Sequence, residues 1–263
     1  LAETLTFTAE DGGTAACPIS YEAAPGATCV ITGGREITGF TRQADGIWIA
    51  YLPEVAQGKW YFEQLWVNGR RAVRARSPNV VRQGETCVPR YHYVQSMVPQ
   101  NLRNFSARPE QQKLLDALAK QEHPNDVVVA VYNSWEASLL RLKSVDPATR
   151  RVELTNTPHM PFQRYPGKTQ RYHVENYLGG LDEPGEWFLD RGGVLYYMPL
   201  PGEEMARARV VAPAWNGVPL PENVYPTNQT VHTTPLKELV RIAGDYAGTR
   251  VSYLAFQGLS FSC

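Results

Sequence analysis

Between residues 4 and 53, short stretches of alternating apolar and polar residues are separated by turns that contain glycine. They predict strands of four or five residues at Thr4–Thr8, Ile19–Ala23, Cys29–Thr32, Ile37–Phe40 and Trp48–Leu52. Short strands between glycine-bearing corners are typical of a solenoid, a barrel or a sandwich. The sequence contains no clean internal repeat that would favour one of these three.

Residues 54–230 have a different pattern, which is dominated by hairpins. The clearest one joins Tyr61–Val67 to Arg70–Arg76, because Asn68-Gly69 supplies the positive φ angles of a type I′ turn. Two more hairpins are predicted, Ser138–Val145 with Arg151–Thr155 and Glu186–Asp190 with Val194–Met198. A helix is predicted over Pro109–Gln121, and the apolar run Asp126–Tyr132 predicts a strand buried on both faces. Several hairpins around one helix predict an antiparallel β domain of sandwich or barrel type.

The last thirty or so residues return to the first pattern. Pro235–Ala243 predicts a short amphipathic helix that ends at Gly244, and Val251–Phe256 and Leu259–Ser262 predict two alternating strands. A chain that leaves one architecture and returns to it contains an inserted domain. We therefore expect three segments, residues 1–53, an insertion at residues 54–230, and a return at residues 231–263.

The charge balance, the apolar runs and the cysteine spacing exclude several classes of partner. Lys and Arg together number 26, as do Asp and Glu, so the formal charge is zero. This balance argues against nucleic acid or an acidic membrane surface as the main partner, because both favour a basic face. No apolar run approaches the roughly 18 residues that span a bilayer. The cysteines lack CxxC spacing, which leaves open a Cys17–Cys29 disulfide beside the simpler interpretation of unpaired thiols.

Five segments carry a resemblance to a known group of proteins: Leu5–Gly34, Phe62–Asn79, Tyr132–Pro147, Val174–Pro199 and Val251–Ser262. Together they resemble bacterial right-handed parallel β-helix proteins whose first coils are interrupted by a β-rich insertion. That group is similar to glycoside hydrolases of families 120 and 141, which act on plant and algal glycans. The resemblance covers nearly the whole chain.

The resemblance implies a mainly β fold, in which a right-handed parallel β-helix starts, is interrupted by a large antiparallel insertion with one or two short helices, and resumes. It implies a secreted or periplasmic protein with a polysaccharide or oligosaccharide as partner. It also places the catalytic carboxylates on later coils, beyond residue 263, so we assign no catalytic residue here and expect residues 1–263 alone to be inactive. A polysaccharide lyase on the same scaffold and a non-catalytic glycan-binding protein remain alternatives.

The densest acidic site is Asp182, Glu183 and Glu186. Glycoside hydrolysis uses two carboxylates, so two of these could serve as acid and nucleophile. The competing interpretation is a type II turn, with Pro184 and Gly185 at its centre and the Asp182 carboxylate bonded to backbone amides as an Asx-turn. We retain Glu183 as a candidate substrate-binding residue.

Two further groups could contact a sugar. Arg70, Arg74 and Arg76 would share one face of a strand, where they could grip an acidic sugar or form ion pairs within the insertion. Among the tryptophans, Trp135 lies in a turn-like segment and is the second candidate substrate-binding residue, because an exposed ring can stack on a sugar.

Neither the histidines nor the known catalytic and nucleotide-binding motifs indicate a further site. The five histidines are scattered without HxH or HExxH spacing, so we expect no metal site. No GxSxG, phosphate-binding loop or GxGxxG is present, and we expect no cofactor.

Overall fold

A computed structural model describes residues 1, 3–84, 86–97, 103–132, 136–158, 170–214, 238–245 and 248–262. The chain divides into two compact units. The first unit comprises Leu1–Thr38, Glu54–Arg71 and Arg209–Cys263, and the second comprises Gly39–Pro53 and Ala72–Ala208. The predicted boundaries at residues 53 and 230 stay a prediction, since the compact units divide the chain at other positions.

The described residues are mainly β. The strands up to residue 71 are β1 (Leu5–Phe7), β2 (Ile19–Glu22), β3 (Cys29–Thr32), β4 (Gly34–Ile37), β5 (Thr41–Arg42), β6 (Trp48–Tyr51), β7 (Trp66–Val67) and β8 (Arg70–Arg71). The next are β9 (Val73–Arg74), β10 (Arg76–Ser77), β11 (Val81–Gln83), β12 (Thr86–Val88), β13 (His92–Met97), β14 (Asn104–Ala107), β15 (Val128–Tyr132), β16 (Ala137–Asp146), β17 (Arg151–Leu154), β18 (Arg171–Glu175), β19 (Glu186–Leu189) and β20 (Val194–Tyr197). The last are β21 (Val210–Pro213), β22 (Val240–Ile242), β23 (Leu254–Gln257) and β24 (Leu259–Ser262).

Helices are short in the described part of the chain. The α-helices are α1 (Pro53–Ala56) and α2 (Gln112–Leu118), and the 3₁₀ turns are Ala9–Asp11, Pro109–Gln111, Pro124–Asp126 and Leu178–Gly180. The helix predicted over Pro109–Gln121 is thus confirmed as a 3₁₀ turn followed by α2. No helix among the described residues is long and apolar enough to cross a membrane.

Three parallel strand pairs connect the two ends of the first unit. β1 pairs with β22, β2 with β23 and β3 with β24. Tyr21 on β2 lies opposite Phe256 on β23, and their rings stack with centroids 5.6 Å apart. The ring of Phe7 meets both of these rings edge-on at 5.2 Å. Aromatic side chains from β1, β2 and β23 therefore pack against each other between these pairs.

The helix predicted over Pro235–Ala243 is wrong within the described residues, because Val240–Ile242 is the strand β22. The backbone of this segment pairs with β1, and Ala243 continues the pairing by donating its amide to the carbonyl of Phe7 at 2.8 Å. A short apolar pattern does not distinguish helix from strand, and tertiary pairing overrides the weak helical preference.

An antiparallel sheet completes the first unit. Its strand order is β4-β21-β7-β8. Asn68 and Gly69 connect β7 to β8 with φ angles of 52° and 76°, which confirms the predicted two-residue hairpin turn. Beside the sheet, the buried Trp60 donates its indole N–H to the carbonyl of Pro213 at 3.0 Å, and the guanidinium of Arg35 lies 4.2 Å from the centre of its ring.

A closed antiparallel barrel dominates the second unit. Its six strands follow the order β18-β13-β14-β17-β16-β15, and β15 closes the ring by pairing with β18. The barrel strands share a hydrophobic core with α2, and the core includes Phe105, Leu115, Leu142, Val152 and Tyr172. Val128, Val129, Ala130 and Val131 are all buried, which confirms that the apolar run at β15 is covered on both faces. The sandwich-or-barrel expectation resolves to a barrel.

The second unit also contains an open sheet of order β5-β6-β20-β19-β9. The predicted hairpin Glu186–Asp190 with Val194–Met198 is confirmed as β19 and β20. The chain passes from β9 in this sheet through Ala75 to β10, which pairs with barrel strand β18. Since β19 begins at Glu186 and lies between β20 and β9, the acidic segment 182–186 leads directly into this sheet.

Candidate functional site

A cavity of about 660 Å³ opens in the second unit. The segment that follows β10, the strand β11, and the turn that precedes β19 all contribute to its wall. Its lining includes polar and charged side chains from Ser77, Asn79, Arg82, Arg90, Asp182, Glu183 and Glu186, and apolar ones from Pro78, Val80, Val81, Pro184, Leu200 and Pro201. This mixture of polar and apolar groups in a concave site is typical of a small-molecule pocket.

A tight turn forms one part of the wall. The amide of Glu186 donates to the carbonyl of Glu183 at 3.2 Å, and Gly185 has a φ of 85°. These features confirm the predicted type II turn, which requires glycine at its third position. A Cβ on Gly185 would lie 2.5 Å from Nη2 of Arg82. Glycine at residue 185 is therefore required by the positive φ, and the guanidinium of Arg82 lies close against the turn at this position.

The buried side chain of Glu186 accepts hydrogen bonds from the backbone of this turn. Its side chain is buried, and Oε2 accepts hydrogen bonds from the amides of Asp182 and Glu183 at 3.2 and 3.3 Å. Its other oxygen, Oε1, is buried and has no hydrogen-bond partner among the described residues. Burial raises the pKa of Glu186 to about 8. The negative charges of Asp182 and Glu183 also raise this pKa, whereas the hydrogen bonds from the two amides lower it. Glu186 is therefore a neutral carboxylic acid over much of the neutral pH range.

Asp182 does not form the predicted Asx-turn. Its Oδ1 accepts a hydrogen bond from Nδ2 of Asn79 at 2.8 Å. The amide that an Asx-turn of Asp182 would use lies two residues on, at Pro184, which has no N–H. The amides of Asp182 and Glu183 donate to Glu186, at the start of β19. The three carboxyl groups thus have different environments: Asp182 and Glu183 are exposed, whereas Glu186 is buried.

Two arginines face the cavity without a carboxylate partner. Arg82 donates from Nη1 to Sγ of Cys87 at 3.6 Å, and no carboxylate of the described residues lies within salt-bridge distance of Arg82 or Arg90. Asp182 and Glu183 line the same cavity, so the positive and negative groups are held apart within it. Opposite charges that are not paired with each other remain available for a ligand.

A buried network fixes the wall that carries Arg90. Arg76 donates from Nε to the carbonyl of Pro78 at 3.0 Å and from Nη2 to the carbonyl of Arg90 at 3.4 Å, and it lies 4.0 Å from the carboxylate of Glu175. Nε2 of His173 lies 2.7 Å from the same Glu175 carboxylate. Arg76 therefore ties two segments of the cavity wall to barrel strand β18.

Ser77 links the cavity to the barrel. Its Oγ lies 2.9 Å from Nε2 of His92, on barrel strand β13. Burial lowers the pKa of His92 to about 4, and the neighbouring His173 and Arg76 contribute to this shift. His92 is therefore neutral at neutral pH, and the serine hydroxyl is held by an uncharged imidazole.

The structure bears differently on each residue singled out from the sequence. Glu183 lines the cavity, and Trp135 lies outside the described residues. Arg70, Arg74 and Arg76 do not share one face, since Arg70 belongs to the first unit and the other two belong to separate strands of the second. The ion-pair interpretation is confirmed for Arg76.

No sequence pattern selects Asn79, Arg82 or Arg90. They surround Glu183 only because the segment after β10 folds against the turn before β19, about a hundred residues later along the chain. The signal that the sequence did carry was the density of carboxylates at residues 182–186.

Comparisons with known proteins agree with the strand pattern. Residues 45–200, more than half of the chain, match the family model described as "GH141 insertion domain". The chain is similar to a solved structure named "Glycoside hydrolase", with a TM-score of 0.68 and 22% sequence identity. The match covers 99% of this chain and 41% of that structure, and at this identity it shows the fold. A search of curated proteins gave no match.

Proposed function

The chain belongs to the GH141 insertion-domain family, and from this we propose that it is part of a right-handed parallel β-helix glycoside hydrolase that acts on plant or algal polysaccharide. In this proposal the first unit supplies the beginning of the β-helix and the second unit contains the insertion. The chain spans 41% of the solved glycoside hydrolase that it resembles, which leaves room in such a protein for further coils.

The order of the parallel pairs is the observation that carries the proposal. β1, β2 and β3 pair, in that order, with β22, β23 and β24. Stacked coils of a parallel β-helix give this pattern, because each face of one coil pairs with the same face of the next. The stacked rings of Tyr21 and Phe256, which are paired residues on β2 and β23, are the kind of side-chain ladder that such stacking favours.

We further propose that the catalytic carboxylates lie on coils beyond residue 263. Glycoside hydrolysis uses two carboxylates, about 5–5.5 Å apart in retaining enzymes and about 6.5–9.5 Å apart in inverting ones. The strands β22, β23 and β24 carry no Asp or Glu, and among β1, β2 and β3 only Glu22 is acidic. These six strands therefore supply at most one of the two carboxylates, which favours later coils as their position.

The test compares residues 1–263 with a version extended by the coding sequence that follows Cys263. Both would be assayed against a panel of aryl-glycosides and against plant and algal polysaccharides. The proposal expects hydrolysis by the extended protein and none by the shorter one. Equal activity of the two would remove the idea that the catalytic carboxylates lie beyond residue 263. Products that absorb ultraviolet light through an unsaturated uronate would identify a lyase instead.

The proposal includes a secreted or periplasmic location, because a polysaccharide substrate is met outside the cytoplasm. Fractionation of the source cells, followed by immunoblotting of each fraction, tests this point. Protein confined to the cytoplasmic fraction would contradict it.

A further inference from the structure

We propose that the cavity of the second unit binds an acidic sugar residue, a hexuronate, with Arg82 and Arg90 holding its carboxylate. The carbohydrate class of the ligand rests on the proposed function, whereas the acidic character follows from the cavity itself. The site would be separate from the catalytic carboxylates proposed for later coils, and it would hold part of a polysaccharide chain.

The proposal of an acidic ligand rests on the two arginines. Neither Arg82 nor Arg90 has a carboxylate within salt-bridge distance among the described residues, although three carboxyl groups line the same cavity. Arginine presents a planar fork of donors that matches the two oxygens of a carboxylate. A uronate carboxylate would thus supply the anion that the protein itself does not.

Contacts within the protein order part of this arginine pair before any ligand binds. The guanidinium of Arg82 donates from Nη1 to Sγ of Cys87 at 3.6 Å and lies beside the turn at Gly185. For Arg90 it is the backbone that is held, because its carbonyl accepts from the buried guanidinium of Arg76, and its side chain is exposed. Groups that are already ordered lose less conformational freedom on binding, which favours affinity.

The other polar groups fit sugar hydroxyls, which both donate and accept hydrogen bonds. Asp182 and Glu183 offer acceptor oxygens at the exposed part of the cavity. The remaining oxygen of Glu186, Oε1, is buried in the wall, so the exposed oxygens of Asp182 and Glu183 are the carboxylate acceptors within reach of a ligand.

Size and apolar lining agree with a saccharide. The cavity volume of about 660 Å³ falls within the range of about 300–1,000 Å³ that is typical of small-molecule sites. Pro78, Val80, Pro184, Leu200 and Pro201 provide apolar surface for the C–H faces of a sugar ring.

Isothermal titration calorimetry of the full chain with a galacturonate trimer tests the inference. The matched probe is the carboxyl-reduced trimer, which differs only in having –CH₂OH in place of –COO⁻. We expect saturable binding of the acidic trimer and at least about tenfold weaker binding of the reduced one, because charge-assisted hydrogen bonds are lost. No saturable binding of the acidic trimer, or equal binding of both, would overturn the inference.

Two variants locate the binding in the cavity. Arg82→Gln combined with Arg90→Gln should weaken binding of the acidic trimer at least about tenfold and leave the weak binding of the reduced trimer nearly unchanged. Arg207→Gln is the control, since this arginine of the second unit is exposed and, among the residues that the structure describes, its ion pair is with Glu204 at the surface. Equal weakening by the control, or none by the double variant with an unchanged unfolding midpoint, would show that the cavity is not the site.

The hydrolysis assay and the binding assay together separate this inference from the proposed function. If the extended protein is inactive but residues 1–263 bind the acidic trimer, the proposed function fails and the binding site stands. If it is active and the trimer does not bind, the binding site fails alone.

Discussion

The two units of the chain differ in how their strands are completed. Each of the six barrel strands of the second unit has a neighbour on both sides, because β15 and β18 close the ring. In the first unit, β2, β3, β23 and β24 each have one described neighbour. Two phenylalanines illustrate the contrast: Phe105 in the barrel is 0% exposed, whereas Phe261 on β24 is 44% exposed.

The contrast teaches which part of the chain is complete in itself. A closed barrel pairs all its backbone groups and buries a continuous core, so it does not need further elements. Solenoid coils bury their faces only against other coils, and a pair of them leaves apolar side chains uncovered. The proposed β-helix accounts for the exposed aromatic residues of the first unit as surface that a further coil would cover.

The largest expected effect compares two phenylalanines. Phe105→Ala should lower the free energy of unfolding by about 3–5 kcal/mol, because it opens a cavity in the barrel core. Phe261→Ala is its matched control in the first unit and should cost less than about 1 kcal/mol, since its ring is already partly in water. Urea unfolding of both variants measures the difference. Equal losses would break the distinction between the units.

The next effect is a pH dependence that belongs to the second unit. The pKa of Glu186 is raised to about 8 in the folded protein, above its unfolded value, so the folded state holds a proton that the unfolded state has released. Stability should therefore fall as the pH rises through 8, by an amount on the order of 2 kcal/mol between pH 6.5 and 8.5. Urea unfolding across this range should show that Glu186→Gln removes most of the fall. An unchanged slope in the variant would contradict the burial of an ionisable Glu186.

A smaller pH effect of opposite sign comes from His92. Its folded pKa of about 4 lies below its unfolded value, so the unfolded state takes up a proton first as the pH falls. Stability should decrease between pH 6.5 and 5 by an amount on the order of 1–2 kcal/mol, and Glu186 opposes this change in the same window. His92→Gln, which keeps an acceptor for Ser77, should reveal a net rise in stability as the pH falls. The same curve in variant and parent would show that His92 is not buried in neutral form.

The smallest effect concerns a turn in the first unit. Gly69→Ala should cost about 1 kcal/mol, because φ at this position is 76° and alanine disfavours positive φ. Gly248→Ala is the control, since a Cβ there meets no atom within 4 Å and φ is not positive. Thermal unfolding of both variants decides the matter, and equal midpoints would show that the β7–β8 turn contributes nothing to stability.

Turn chemistry was the part of the fold that could be predicted most closely. Asn68-Gly69 and Pro184-Gly185 both adopt the predicted turns, because their φ requirements are local properties of the residues. The pairing of β15 with both β16 and β18 is non-local, and nothing in the run 126–132 specifies which strands will flank it. Barrel and sandwich therefore remained equally acceptable until the structure distinguished them.

As with the fold, the local features of the site could be predicted from the sequence and its tertiary contacts could not. The acidic segment 182–186 was visible as a cluster, but its division of roles was not. The sequence predicted that the carboxylate of Asp182 would bond backbone amides, whereas in the structure it is Glu186, at the start of β19, that accepts from the amides of Asp182 and Glu183. Arg82 and Arg90 reach the same cavity through tertiary folding alone, so no spacing rule could have selected them.

Hydrogen exchange of residues 1–263 and of the version extended past Cys263 tests the central claim most directly. The account predicts that the extension slows exchange of the amides of β23 and β24, because a further coil would cover them, and leaves the barrel amides of β15 and β16 unchanged. Exchange of β23 and β24 that is equally fast in both proteins would contradict the claim that the first unit begins a β-helix.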